Sequence, residues 1–127
     1  MRTNITLVAI LAALLAVTAG CTSRASQASP SPTPVAVTLA DFMVEPMDLS
    51  VDGPFVSFAV HNEGPTVHNF SIRDANSGEI LLATPDLRPG ERTTLAGQLE
   101  AGEYETLCAL PGHASLGMRG VVTVRAP

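Results

Sequence analysis

Residues 102–124 read GEYETLCALPGHASLGMRGVVTV. Tyr104, Thr106 and Cys108 alternate with Glu103, Glu105 and Leu107, and Val122 and Val124 resume the two-residue period at the far end. Period two is the mark of a strand with one buried face. Between the two strands lies the segment Cys108 to Met118, which supplies a thiol, an imidazole and a thioether spaced Cys-x4-His-x4-Met. Pro111-Gly112 forces a turn just before His113, and Gly117 allows another just before Met118. Folded this way, one loop brings all three donors to a point. Alone, a buried cysteine is usually inert packing, a methionine usually fills core, and a loop histidine is usually solvated. All three together in one short loop argue for a metal.

Thiolate, imidazole and thioether are soft or borderline donors, favouring Cu(I), Cu(II) or Zn over Mg or Ca. Zinc normally takes four firm ligands. One Cys, two His and a weak axial Met is the donor set of an electron-transfer copper site. The second imidazole must come from His61 or His68, since the chain has three histidines. Alternation favours His68, which is in phase with Phe70 and Ile72. His61 is out of phase with Val56, Phe58 and Val60 and sits beside the turn Asn62-Glu63-Gly64-Pro65. On phase alone both remain candidates. Met43 and Met47 have no such context and read as core or surface filler.

The same period recurs upstream. Val35, Val37 and Leu39 alternate with Ala36, Thr38 and Ala40, and Val56, Phe58 and Val60 with Phe55, Ser57 and Ala59. Asp52-Gly53, Asn62 to Pro65, Asn76-Ser77-Gly78, Arg88-Pro89-Gly90 and Ala101-Gly102 punctuate the runs. Short strands at roughly 8–12-residue spacing predict an all-β sandwich or small barrel. No segment has a helical period, Ile80 to Ala83 is too short to assign, and no internal repeat is visible.

The first part of the chain has other duties. Met1 to Asn4 carry a positive charge at Arg2, Ile5 to Val17 are mostly apolar, and Thr18-Ala19-Gly20 precede Cys21. This predicts a secretory signal over residues 1–20. The apolar run falls short of the 18 or more residues that a membrane span needs. Cys21 stands where a bacterial lipoprotein signal places its lipid-modified cysteine. A thioether at Cys21 would leave Cys108 without a disulfide partner, and a lone thiol in an oxidising compartment must be buried or bound. Residues 22–34 are almost entirely Ser, Thr, Pro, Ala and Gln, with nothing to bury. They predict a flexible tether reaching roughly 40 Å at about 3.1 Å per residue. The folded domain is then residues 35–127, held by lipid at Cys21 and facing the periplasm or the cell exterior.

The 127 residues leave room for one small domain and exclude a multidomain enzyme. With no Trp, one Tyr and four Phe, a core of this size would gain from a metal or a disulfide. From Val35 onward five arginines face all twelve acidic residues, and the chain has no lysine. Nucleic-acid binding is excluded on that balance.

The segment from Gly102 to His113, with Gly117 to Val122, resembles the cupredoxin (type 1 blue copper) family. Val60-His61-Asn62-Glu63-Gly64 followed by His68-Asn69-Phe70 is similar to the family's first-ligand region. The resemblance runs from about Phe42 to Val124. The Cys-x4-His-x4-Met spacing is nearer to auracyanin, rusticyanin and sulfocyanin than to plastocyanin. It implies a Greek-key β-sandwich with one copper ion near one end, bound by His68, Cys108, His113 and an axial Met118. Asn69 matches the residue that ties the two ligand loops together beside the thiolate. Leu110 stands where some members carry Pro, so its N–H is expected to give the sulfur a second hydrogen bond. The implied activity is one-electron transfer, Cu(I)/Cu(II), through the edge of His113 amid Pro111, Ala114 and Leu116. The implied partners are redox proteins of the cytochrome or oxidase type, met by a monomer. A copper carrier or scavenger is the alternative. Three histidines lack ligands for a second copper centre, so a stand-alone enzyme is not expected.

Overall fold

The computed structural model describes residues 31–127. The signal, the lipidation position Cys21 and most of the tether lie outside the described residues. Among the described residues nine strands form in chain order: β1 (Val35–Ala40), β2 (Met43–Glu45), β3 (Asp48–Asp52), β4 (Phe55–Asn62), β5 (Ser71–Arg73), β6 (Ile80–Ala83), β7 (Arg92–Gln98), β8 (Gly102–Leu107) and β9 (Arg119–Arg125). A single 3-10 turn, Ala114–Leu116, lies between β8 and β9. Among the described residues no helix is long and apolar enough to cross a membrane.

The strands form two mixed sheets, ordered β2-β1-β4-β7 and β3-β9-β8-β5-β6. β1 pairs with β4, and β3 with β9, in parallel; the other pairings are antiparallel. Each sheet turns one face inward, so the alternating residues of both meet in one core. Val37 and Leu39 from β1, Val56, Phe58 and Val60 from β4, and Val122 and Val124 from β9 are all buried. Phe58 meets Phe70 across the sheets edge-to-face, with ring centroids 5.6 Å apart. The sandwich anticipated from the alternation is therefore present, and Ile80–Ala83 is an edge strand.

Two strand boundaries differ from the periodicity, and both differences serve one end of the sandwich. His68, Phe70 and Ile72 are fully buried as the phase predicts, but Asn69 and Ser71 between them are buried too, and β5 begins only at Ser71. Upstream of it the chain takes other partners. His68 and Leu87 exchange N–H···O bonds of 3.1 and 2.7 Å. The Phe70 N–H donates to Thr84 Oγ1 at 3.0 Å, and Thr84 N–H donates back to Phe70 O at 2.9 Å. Likewise β8 ends at Leu107, and the Cys108 N–H donates to Met118 O at 3.0 Å. The last bond pins the two ends of the loop to each other.

One side chain in β8 sits badly for stability. The Thr106 hydroxyl is fully buried and has no hydrogen-bond partner among the described residues. An unpaired buried polar group costs about 1–3 kcal/mol. Thr106→Val keeps the shape and removes the hydroxyl, so it is expected to raise the urea midpoint by an amount equivalent to about 1 kcal/mol. A lower midpoint would mean that the hydroxyl has a partner after all.

Candidate metal centre

The loop between β8 and β9 folds back as its sequence requires. Gly112 and Gly117 have φ of 83° and 121°, in the left-handed range that side chains resist. A Cβ on Gly117 would also lie 2.9 Å from Phe42 O, so that position is closed to side chains twice over. Between these glycines His113 N–H donates to Leu110 O at 3.2 Å, and Met118 N–H donates to His113 O at 3.1 Å. These bonds turn the chain so that the His113 ring faces Cys108 and the Met118 backbone pairs with it.

His68, Cys108 and His113 place one ligand atom each within 4.8 Å of the others. The two imidazoles present Nδ1 to each other at 3.1 Å, and His113 Nδ1 lies 3.6 Å from Cys108 Sγ. Met118 is fully buried, as are His68 and Cys108, while His113 keeps one part exposed. Cys108 is a free thiol. Three donor atoms thus converge, and the Met118 next to them in the loop is buried. A soft thiolate, two imidazoles and a thioether fit copper. Copper would supply a one-electron couple there. His68, Cys108 and His113 form this cluster, Met118 is joined to Cys108 and His113 through its backbone, and His61 is not part of it. His61, near the end of β4, pairs instead with Glu63 at 2.8 Å.

Asn69 ties the two ligand loops together. Its Oδ1 accepts from Ala109 N–H at 2.7 Å, its Nδ2 donates to Asp86 Oδ1 at 2.8 Å, and its backbone N–H points at Cys108 Sγ at 3.4 Å. This is also why β5 starts late: the Asn69 groups serve the cysteine loop rather than a ladder. The Asn69 N–H is the backbone donor seen at the Cys108 sulfur, and Leu110 takes part in the turn that follows. The chain is already turning at Leu110, whose carbonyl accepts from His113 and whose side chain packs on the core.

Residues of the β1–β2 turn, not anticipated from the sequence, complete the surroundings. Asp41 Oδ1 lies 2.9 Å from His68 Nε2 and accepts the Thr66 hydroxyl at 2.8 Å. The Thr66 hydroxyl, and after it His68, hold the Asp41 carboxyl below the usual carboxylate range. Phe42 meets the His113 ring edge-on, with centroids 5.9 Å apart. Phe42 and Leu116, which donates its N–H to His113 O at 3.1 Å, are both exposed, so His113 has exposed apolar neighbours. Nothing in the sequence singles out Asp41, because its link to His68 depends on the long-range pairing of β1 with β4.

A model of the cupredoxin-like domain matches residues 8–124. The chain belongs to the cupredoxin-like family. Among curated relatives, this cupredoxin is 30% identical over 119 residues to the copper-resistant cuproprotein CopI of Rubrivivax gelatinosus, spanning 80% of this chain and 72% of that one. Its fold is that of auracyanin from the photosynthetic bacterium Roseiflexus castenholzii, at TM-score 0.65 and 21% identity, covering 75% of this chain and 98% of the other. An azurin from Methylomonas sp. strain J gives TM-score 0.63 at 19% identity, covering 72% of this cupredoxin and 97% of that protein.

Proposed function

We propose that this cupredoxin is an extracytoplasmic one-electron carrier whose copper is held by His68, Cys108, His113 and axial Met118. The observation that carries the reading is the placement of the donors. Three of the four are shut in the core and the fourth, His113, keeps an exposed edge. Buried ligands on a rigid sandwich change little when the metal changes charge, which keeps the reorganisation of each transfer small. An exposed imidazole within an apolar surround gives a redox partner a short route in. The acidic domain suits a partner with a basic face and a salt-sensitive encounter. The protein acts as a carrier without catalytic residues, held at a membrane by lipid on Cys21.

A second reading is copper handling, favoured by the name of the curated relative, which is a copper-resistance protein. The two differ in what happens to the metal on reduction. An electron carrier loaded with copper is expected to pass through repeated reduction by ascorbate and oxidation by a cytochrome with its copper content unchanged. Release of the metal on reduction, in the presence of a Cu(I) chelator, would favour the handling role.

A further inference from the structure

The distances around His68 give the β1–β2 turn a function of its own. Asp41 Oδ1 sits 2.9 Å from Nε2, on the side of the ring opposite the Nδ1 that faces Cys108 and His113. We propose that Asp41 is a positioning residue for the metal centre, its carboxylate accepting the Nε2–H of His68 and thereby fixing which imidazole nitrogen faces the metal and how strongly it donates. This rests on the copper reading above.

The support for Asp41 is built into the fold from three directions. The Thr66 hydroxyl donates to the same oxygen at 2.8 Å, which orients the carboxylate. Thr66 is in turn held by Asn62, fully buried, whose Nδ2 donates to Thr66 O and Leu87 O, each at 2.8 Å. The Asn62 Oδ1 accepts the Gly64 N–H at 2.9 Å and so closes the same turn. Over the top lies Gly64 itself. A Cβ there would come within 3.0 Å of both Asp41 Oδ1 and His68 Nε2, so backbone covers the pair at close range. The pair is therefore packed by backbone rather than left as a loose surface contact, although the Asp41 side chain keeps 32% of its exposure.

A carboxylate on the remote nitrogen fixes the tautomer with Nδ1 unprotonated and raises the basicity of the ring as a ligand. A more basic ligand stabilises Cu(II) more than Cu(I), which lowers the reduction potential. Loss of such a partner typically costs about 10–100-fold in metal affinity. Asp41→Asn keeps the shape and a neutral acceptor but removes the charge, whereas Asp41→Ala removes both.

The test is voltammetry and EPR on the copper-loaded protein, its Asp41→Asn and Asp41→Ala forms, and Asp52→Asn. The last removes the same charge from the far end of β3, where Asp52 pairs with Arg125. The expected result is a roughly tenfold weaker preference for Cu(II) over Cu(I) in Asp41→Asn, read as a rise of about 59 mV. Asp41→Ala should shift at least as far and change the copper hyperfine splitting, with Asp52→Asn close to the unmodified protein. A merely structural Asp41 would lower the unfolding midpoint and leave the potential in place, which overturns the proposal. Equal shifts in Asp41→Asn and Asp52→Asn overturn it too, since they would reflect overall charge alone. If the unmodified protein has no thiolate-to-copper band, the copper reading itself has failed. An intact band with an unmoved potential counts only against Asp41.

Discussion

Cys108→Ser is expected to abolish the intense visible absorption of the Cu(II)-loaded domain while leaving a folded protein. The absorption arises from charge transfer between a thiolate and Cu(II), and among the described residues Cys108 carries the only thiol. Serine is close in size, and the backbone bonds that pin the loop remain, including Cys108 N–H to Met118 O. What goes is the soft, anionic donor. Imidazole-dominated Cu(II) binding, if it persists, should be weak, pale and wide in its hyperfine splitting. His61→Ala is the matched control, because His61 pairs with Glu63 outside the cluster. It should leave the spectrum unchanged.

The second large effect is on stability. Phe58→Ala should cost about 3–5 kcal/mol, read as a lower urea midpoint at unchanged slope. Phe58 is fully buried on β4 and packs edge-to-face on Phe70, two residues beyond His68. The pair spans the two sheets, so its loss opens a cavity at the centre of the core. Domains of this size are stable by only about 5–15 kcal/mol, so a loss of this size is a large share of the total. Metal that binds only the folded state should return part of the loss, about 4 kcal/mol at a thousandfold excess over its dissociation constant. The variant is therefore expected to unfold at a lower urea concentration without metal than with it. A midpoint within 1 kcal/mol of the unmodified protein would mean that the core collapses around the missing ring.

Most of the centre was legible because its residues are local or in phase. Cys108, His113 and Met118 lie on one loop whose glycines announce its turns, and Gly112 and Gly117 do adopt positive φ. His68 could be preferred over His61 because a strand with one buried face sorts its residues by parity, and His68 shares the parity of Phe70 and Ile72. The sequence pattern alone left sandwich and barrel equal; the pairing order shows two sheets. Asp41 could not be read in advance, since nothing local distinguishes it from any aspartate in a turn. Its approach to His68 follows from β1 lying parallel to β4, with Thr38 opposite His61 and Leu39 opposite Asn62. Leu110 is the opposite case. Its position in the sequence matched the family, but whether an N–H meets a sulfur depends on the turn, and the turn here runs through the Leu110 carbonyl.

The central claim is that His68, Cys108, His113 and Met118 form one copper site of the blue type. Its most direct test is addition of one equivalent of Cu(II) to the purified domain, with visible and EPR spectra recorded on the same sample. The account predicts a strong thiolate-to-copper band and narrow copper hyperfine splitting, saturating at a single equivalent. A weakly absorbing complex with wide splitting would contradict it.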